Sequence, residues 1–314
     1  MNKITLGISS CLLGNPVRHD GSHKKNQYVM ESLSSWFEFR AVCPEAAIGL
    51  GVPRPAMRLV KTAEGIRMVV SKSPENDLTD RLIAWSENAV DNMHDLSGYI
   101  LKSQSPSCGM ERVRIFDHNG VPKKEAAGLF ASTLMQAMPW LPVEEEGRLN
   151  DPALRENFIQ RVYIYHRWQQ MIARGISVAS LMEFHQRHKL QLLAHNEAMY
   201  RQLGRHIAGV NRTNLEDVAQ HYLENMMHCM SQRATRKRHT NVLMHVMGYL
   251  KHKLSGQDKQ ELLDTLEQYR TGLLPIVVPL TLLKHHLRVY PDPYIGNQHY
   301  LAPYPEALML RNMI

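Results

Sequence analysis

The chain has 314 residues, 44% of them hydrophobic, and a formal charge of +7. Such a chain can bury a real core, which excludes a disordered or disulfide-built scaffold, and its length suggests two domains. No apolar run approaches the roughly 20 residues of a membrane span; the four cysteines, with no secretory signal before them, are expected as free thiols in a reducing cytoplasm.

Taken in chain order, the first half alternates strands and helices. "KITLGISS" sets Ile4, Leu6 and Ile8 at period two, which predicts a strand. "NQYVMESLSSW" reads as a short helix, "EFRAVCPE" as a strand stopped by Pro44, and "GIRMVVS" as a third strand. "DLTDRLIAWSENAVDNMHDL" predicts an amphipathic helix, with Leu78, Leu82, Trp85, Ala89, Met93 and Leu96 on one stripe and Asp77 as cap. "GYILK" and "RVRIF" follow as strands, and "AGLFASTLMQAM" as a helix. The alternation predicts an α/β domain with a mostly parallel, Rossmann-like sheet over residues 1–142.

The polar stretch "PVEEEGRLNDP", Pro142 to Pro152, is the best linker by its charge, glycine and bounding prolines. Residues 143–314 are expected as an all-α domain. Helical apolar spacing runs through "PALRENFIQRVYIYHRWQQMIAR", "VASLMEFHQRHKLQLLAHNEAMYRQLGRHIA", "LEDVAQHYLENMMHCMSQ", "HTNVLMHVMGYLKHKL" and "QELLDTLEQYRTGL". "LLPIVVPLTLL" reads as core, and the tail from Pro291 has little regular pattern. The basic excess is mild and sits mostly in this half, with 21 Lys/Arg against 16 Asp/Glu, compared with 16 against 14 before it. It permits an anionic partner without demanding one.

Cys11, Cys43 and Cys108 each follow a predicted strand and sit among Pro, Gly or Ser. Ligands of an open α/β sheet collect outside the carboxyl ends of its strands, so the three are expected to converge. In "KSQSPSCGMERV" the small residues would let the backbone approach something bulky held by Cys108, with Gly109 free to take positive φ. Structural zinc takes four ligands, often in close pairs, and no such spacing occurs here. A nucleophilic cysteine needs one thiol and a base rather than three thiols. Three thiolates suit an iron–sulfur cluster with one iron left open. The plainer alternative is that these are buried core cysteines.

"SSCLLGNPVRHDG", "VCPEAAIGLGVPRP" and "SQSPSCG" together resemble the DUF523 family, which includes the 2-thiouracil desulfurases. "NVLMHVMGYLKHKL", "GLLPIVVPLTLLKHHL" and "QHYLAPYPEALMLRN" resemble the DUF1722, or YbgA-like, domain. The first resemblance implies a [4Fe-4S] cluster on Cys11, Cys43 and Cys108 that takes the sulfur of a thiolated pyrimidine. It also implies a carboxylate, matched by Glu45, and a serine, for which Ser103, Ser105 and Ser107 are candidates. His19 stands where the family often has tyrosine. Polarised by iron, the C–S carbon would be open to water, with Glu45 as base and Asp20 as a second acid; the plainer readings are a helix-start acid and an Asp-Gly turn. Arg54 would reach substrate or brace its loop.

Elsewhere, Cys229 is expected as helix packing. His185, His188, His195 and the pair His285–His286 have no acid partner or H-E-x-x-H context that would make a metal site. "SQRATRKRHTN", with Arg233, Arg236, Lys237, Arg238 and His239, is a solvated face or an anion patch that could meet RNA. The expected function is a desulfurase acting on a small thiolated nucleobase. The alternative is a non-catalytic redox-sensing or partner-binding regulatory protein. The oligomeric state is left open.

Overall fold

The structure is a computed structural model that describes residues 3–314. It divides into two compact units, residues 1–150 and 151–314.

Among the described residues the first unit carries nine strands: β1 (Ile4–Ser9), β2 (Phe37–Val42), β3 (Met57–Thr62), β4 (Gly65–Val70), β5 (Ser73–Asp77), β6 (Tyr99–Leu101), β7 (Val113–Phe116), β8 (Pro122–Ala126) and β9 (Val143–Glu145). Four of them form an all-parallel sheet in the order β2-β1-β6-β9. Leu6 and Ile8 of β1 and the whole of β6 are fully buried, as a strand covered on both faces must be. The remaining five form a mixed sheet, β5-β4-β3-β7-β8, in which only β3 and β7 run parallel. "GIRMVVS" and "RVRIF" therefore belong to this second sheet and not to the parallel one. Between the strands lie α1 (Pro44–Ala47), α2 (Thr79–Asp91) and α3 (Leu129–Ala137).

Local chemistry explains the differences from the sequence reading. α2 stops at Asp91, yet Met93 and Leu96 beyond it are still buried. Asp77 ends β5 and accepts from the Thr79 amide at 2.8 Å, two residues before the helix starts. "PVEEEG" is not an open linker: Val143–Glu145 pairs with β6, and Glu144 and Glu145 are buried.

The second unit is helical: α4 (Pro152–Ala173), α5 (Val178–His195), α6 (Glu197–Ala208), α7 (Leu215–Ser231), α8 (Arg236–Leu250), α9 (Gly256–Thr271), α10 (Val277–Val289) and the short α11 (Pro293–Gly296). Residues 178–208 do not make one helix. Asn196 is extended, and its side chain accepts from the Met199 amide to start α6. The irregular tail is core: Tyr300, Leu301, Tyr304 and Leu310 are buried, and the Tyr304 hydroxyl donates to Glu156 at 2.8 Å. Leu280, Leu283 and Leu287 of α10 are buried in the same way. Among the described residues no helix is long and apolar enough to cross a membrane.

Burial pushes His188 and His239 well down and His185 down to about 4. Folded values below the unfolded one, about 6.5, mean that the unfolded chain takes up these protons first as the pH falls. The sign is thus a loss of stability on acidification through about pH 6.5 and below. The thermal midpoint of the helical signal, followed by circular dichroism, is expected to fall from pH 7 to pH 4.5. A flat profile would contradict the buried neutral state.

Candidate active site

β1, β2 and β6 are parallel neighbours in one sheet, so their carboxyl ends lie on one side. Cys11 follows β1 in a 3-10 turn (Ser10–Leu13), Cys43 follows β2 as the residue before α1, and Cys108 lies in the loop after β6. All three line one cavity of about 360 Å³, together with Glu45, Arg54 and Lys102. Cys11 and Cys108 are buried and Cys43 is half-buried; none is in a disulfide. Among the described residues, no three His, Cys, Asp or Glu side chains close tightly enough to hold one metal ion.

Burial is the first cause that pushes the three thiols up, Cys43 to about 11 and Cys108 well above its ordinary value. The Glu45 charge adds to this for all three, while Lys102 pulls Cys11 the other way. Glu45 sits in the first turn of α1, buried, with Pro44 before it. Its Oε2 lies 3.4 Å from the Cys43 sulfur and 3.8 Å from the Arg54 guanidinium, and its Oε1 accepts from Ser107 Oγ at 2.7 Å. Arg54 reaches toward Cys43 as well, and its Nε is buried with no partner. The Tyr99 hydroxyl is also buried without a partner, and the groups whose charges act on it are the three cysteines and Glu45.

The three serine candidates have three different places. Ser107 is fully buried and holds Glu45. Ser105 accepts from the Ser107 and Cys108 amides at 3.2 and 3.1 Å and so shapes the turn that presents the thiol. Ser103 lines the cavity, donates to Glu146 at 2.9 Å and accepts from Lys102 Nζ. Asp20 is not among the residues lining the cavity. It accepts from the Ser22 amide and hydroxyl, which hold its carboxyl down to about 2 on the surface. His19, Arg18 and Lys24 do line it.

The acidic run that the sequence presents as a linker grips both ends of the Cys108 loop. Glu146 accepts from the Ser103 amide at 2.7 Å and pairs with Lys102, and Glu145 accepts from the Met110 amide at 2.9 Å. A charge run alone reads as a solvated face, so no sequence signal gave these residues a role. Gly128 supports the loop from below. A Cβ there would lie 2.5 Å from Ser107 backbone atoms and 2.8 Å from the Cys108 amide. Gly128→Ala is therefore expected to displace the loop, costing about 1–3 kcal/mol of stability as overpacking does. Chemical denaturation measures it, and an unchanged midpoint would refute the close approach.

In the second unit Cys229 is fully buried, near the Leu192 carbonyl. His285 and His286 have their rings together, while His195 bonds the Gln232 carbonyl and Gln160. Of the basic run, Arg236 bonds the carbonyls of Tyr269 and Leu274, Arg238 bonds that of His195, and His239 is buried against Tyr300. Arg233 and Lys237 alone among these five are exposed.

Comparison with known proteins adds to this geometry. A family model described as 2-thiouracil desulfurase matches residues 6–146, and one described as a protein of unknown function, DUF1722, matches residues 189–305. The chain is 33% identical over 153 residues to the uncharacterized protein YbgA of Escherichia coli (strain K12), covering 48% of this chain and 90% of that protein. It is 33% identical over 156 residues to the uncharacterized protein YbbK of Bacillus subtilis (strain 168), covering 46% of this chain and 97% of that one. A solved structure, the [4Fe-4S]-dependent thiouracil desulfidase TudS, is 29% identical with a TM-score of 0.38, over 48% of this chain and 95% of that chain. The chain thus belongs to the 2-thiouracil desulfurase family through its first unit and to the DUF1722 family through its second.

Proposed function

We propose that the first unit is a desulfurase that removes sulfur from a small thiolated nucleobase, using a [4Fe-4S] cluster held by Cys11, Cys43 and Cys108. The donor set fits such a group. Three thiols from three separate turns surround a cavity of about 360 Å³, an arrangement suited to a polynuclear cluster rather than a single ion. Arg54, which lines the same cavity, has an unpartnered buried donor in its Nε. When bound, the cluster would supply an open iron as Lewis acid for the substrate sulfur.

The observation that carries the catalytic reading is the place of Glu45. A carboxylate 3.4 Å from a thiol opposes ionisation of that thiol, so it weakens the ligand set it adjoins. That cost makes sense if the carboxylate has chemistry to do. Ser107 donates to Oε1 and fixes its orientation, and the other oxygen is left toward Cys43 and Arg54. From there Glu45 takes a proton from the water that attacks the carbon losing sulfur. Lys102 and Arg54 are cationic donors in the same cavity for the substrate's oxygen and its developing negative charge. Ser105 shapes the Cys108 turn, Ser103 joins Lys102 to Glu146, and Asp20 holds its own turn.

The test is to purify the chain without oxygen, reconstitute it with iron and sulfide, and incubate it with 2-thiouracil. Sulfide release with formation of uracil supports the reading. A loaded protein that releases no sulfide from thiouracil or thiouridine overturns it and leaves the redox-sensing alternative.

A further inference from the structure

The helical unit holds a cluster of basic side chains with, among the described residues, a single exposed carboxylate, Glu183, paired to it. Arg167 comes from α4, Arg187 and His188 from α5, and His299 from the loop after α11, whose amide donates to the Arg187 carbonyl at 2.9 Å. The His188 and His299 ring centroids are 4.5 Å apart. Arg167 gives one nitrogen to the Pro303 carbonyl, and its other, Nη1, is buried without a partner. Arg187 Nε and His188 Nε2 are buried and unpartnered too, as are both ends of the Gln191 amide, one turn further along α5. His188 and Gln191 are completely inaccessible to solvent.

Among the described residues, the one ion pair in this group is Arg187 with Glu183, 3.7 Å apart and well exposed. The charged groups acting on His299 are Arg167 and Arg187, and on Arg167 they are Arg187 and the Tyr163 phenol; no carboxylate is among them. The two guanidiniums repel one another, with the exposed Glu183 as the one carboxylate paired to them among the described residues, and each unpartnered buried atom is a further cost. An anion would remove both penalties.

We propose that Arg167, Arg187, His188 and His299 form a binding site for a tetrahedral oxyanion that carries a proton, namely a phosphate or a phosphate monoester. Donors arriving from three separate elements suit several oxygens rather than a planar carboxylate. The tautomer selects phosphate over sulfate. His188 Nδ1 lies 2.6 Å from the Phe184 carbonyl and so carries its proton there, which leaves Nε2 as an acceptor in the neutral ring. Inorganic phosphate keeps a P–OH for Nε2 at about pH 7, and a monoester, whose second ionisation lies near pH 6, keeps one on its monoanion; sulfate has no proton to give. The site lies in the second unit and does not depend on the desulfurase reading of the first.

The test is calorimetric titration of the full chain with inorganic phosphate, sulfate and uridine monophosphate at pH 7. Phosphate is expected to bind at least about tenfold more tightly than sulfate, a difference of about 1.4 kcal/mol. Arg167→Gln is expected to weaken phosphate binding at least about tenfold, the value of a charge-assisted hydrogen bond, and Arg233→Gln to leave it unchanged. Uridine monophosphate competing with phosphate identifies a monoester as ligand, and failure to compete identifies free phosphate. Absence of phosphate binding, or binding indifferent to Arg167→Gln in a variant with unchanged helical circular dichroism, overturns the site. If Arg167→Gln does not fold, the half-exposed Arg187→Gln decides in its place.

Discussion

Cys11→Ser, Cys43→Ser and Cys108→Ser are each expected to abolish stable iron and sulfide uptake under anaerobic reconstitution, whereas Cys229→Ala leaves it intact. The first three line one cavity, while Cys229 is buried in the other unit among Met226, Met227 and Met230. A hydroxyl is a poor substitute for thiolate toward iron, so a single exchange removes a third of the proposed protein ligands. Uptake should also depend on pH with a definite sign. Burial and Glu45 push Cys43 up to about 11, so at pH 7 its thiol is protonated and must release that proton to bind metal. Reconstitution is therefore expected to tighten as the pH rises from 6.5 to 8.5. Iron, acid-labile sulfide and the visible spectrum measure both effects. Uptake unchanged in all three serine variants would sink the proposed ligand set.

Much of this site is legible in the sequence, because it follows from topology. Period-two apolar residues mark β1, the stretch stopped by Pro44 and the short apolar run Tyr99–Leu101 mark β2 and β6, and a parallel sheet must put the residues after them on one side. Cys11, Cys43 and Cys108 come together for that reason, although 32 and 65 residues separate them in sequence. What escapes the sequence is whatever depends on tertiary partners. β3 and β8 carry charges such as Lys61, Lys123 and Lys124 on exposed faces, which obscures the strand signal. β9 is hidden by three successive glutamates, because composition cannot tell a solvated carboxylate from one that grips the amides of Ser103 and Met110. The three serines are equal in sequence and separate only by burial and partner, and Asn196 splits a continuous apolar stripe through one extended residue.

Glu45→Gln is expected to lower the rate of sulfide release about 10²–10⁴-fold, the usual value of a positioned general base. The same exchange should leave the iron and sulfide content intact or improve it. Glutamine keeps the acceptor for Ser107 Oγ but removes the negative charge that raises Cys43 and Cys108. This pairing of opposite effects separates catalysis from scaffolding: a structural Glu45 would lose cluster and activity together. Ser107→Ala is the companion variant. It removes the 2.7 Å hydrogen bond that orients Oε1 while keeping the charge, so it should slow turnover less than Glu45→Gln. A charge-assisted hydrogen bond of about 1.5–3 kcal/mol sets its loss at roughly 10–150-fold. Stopped-assay sulfide release on anaerobically loaded protein, normalised to bound iron, measures both. If Glu45→Gln turns over at the parent rate per cluster, the base lies elsewhere in the cavity, and the carboxylate beside Cys43 has only a structural place.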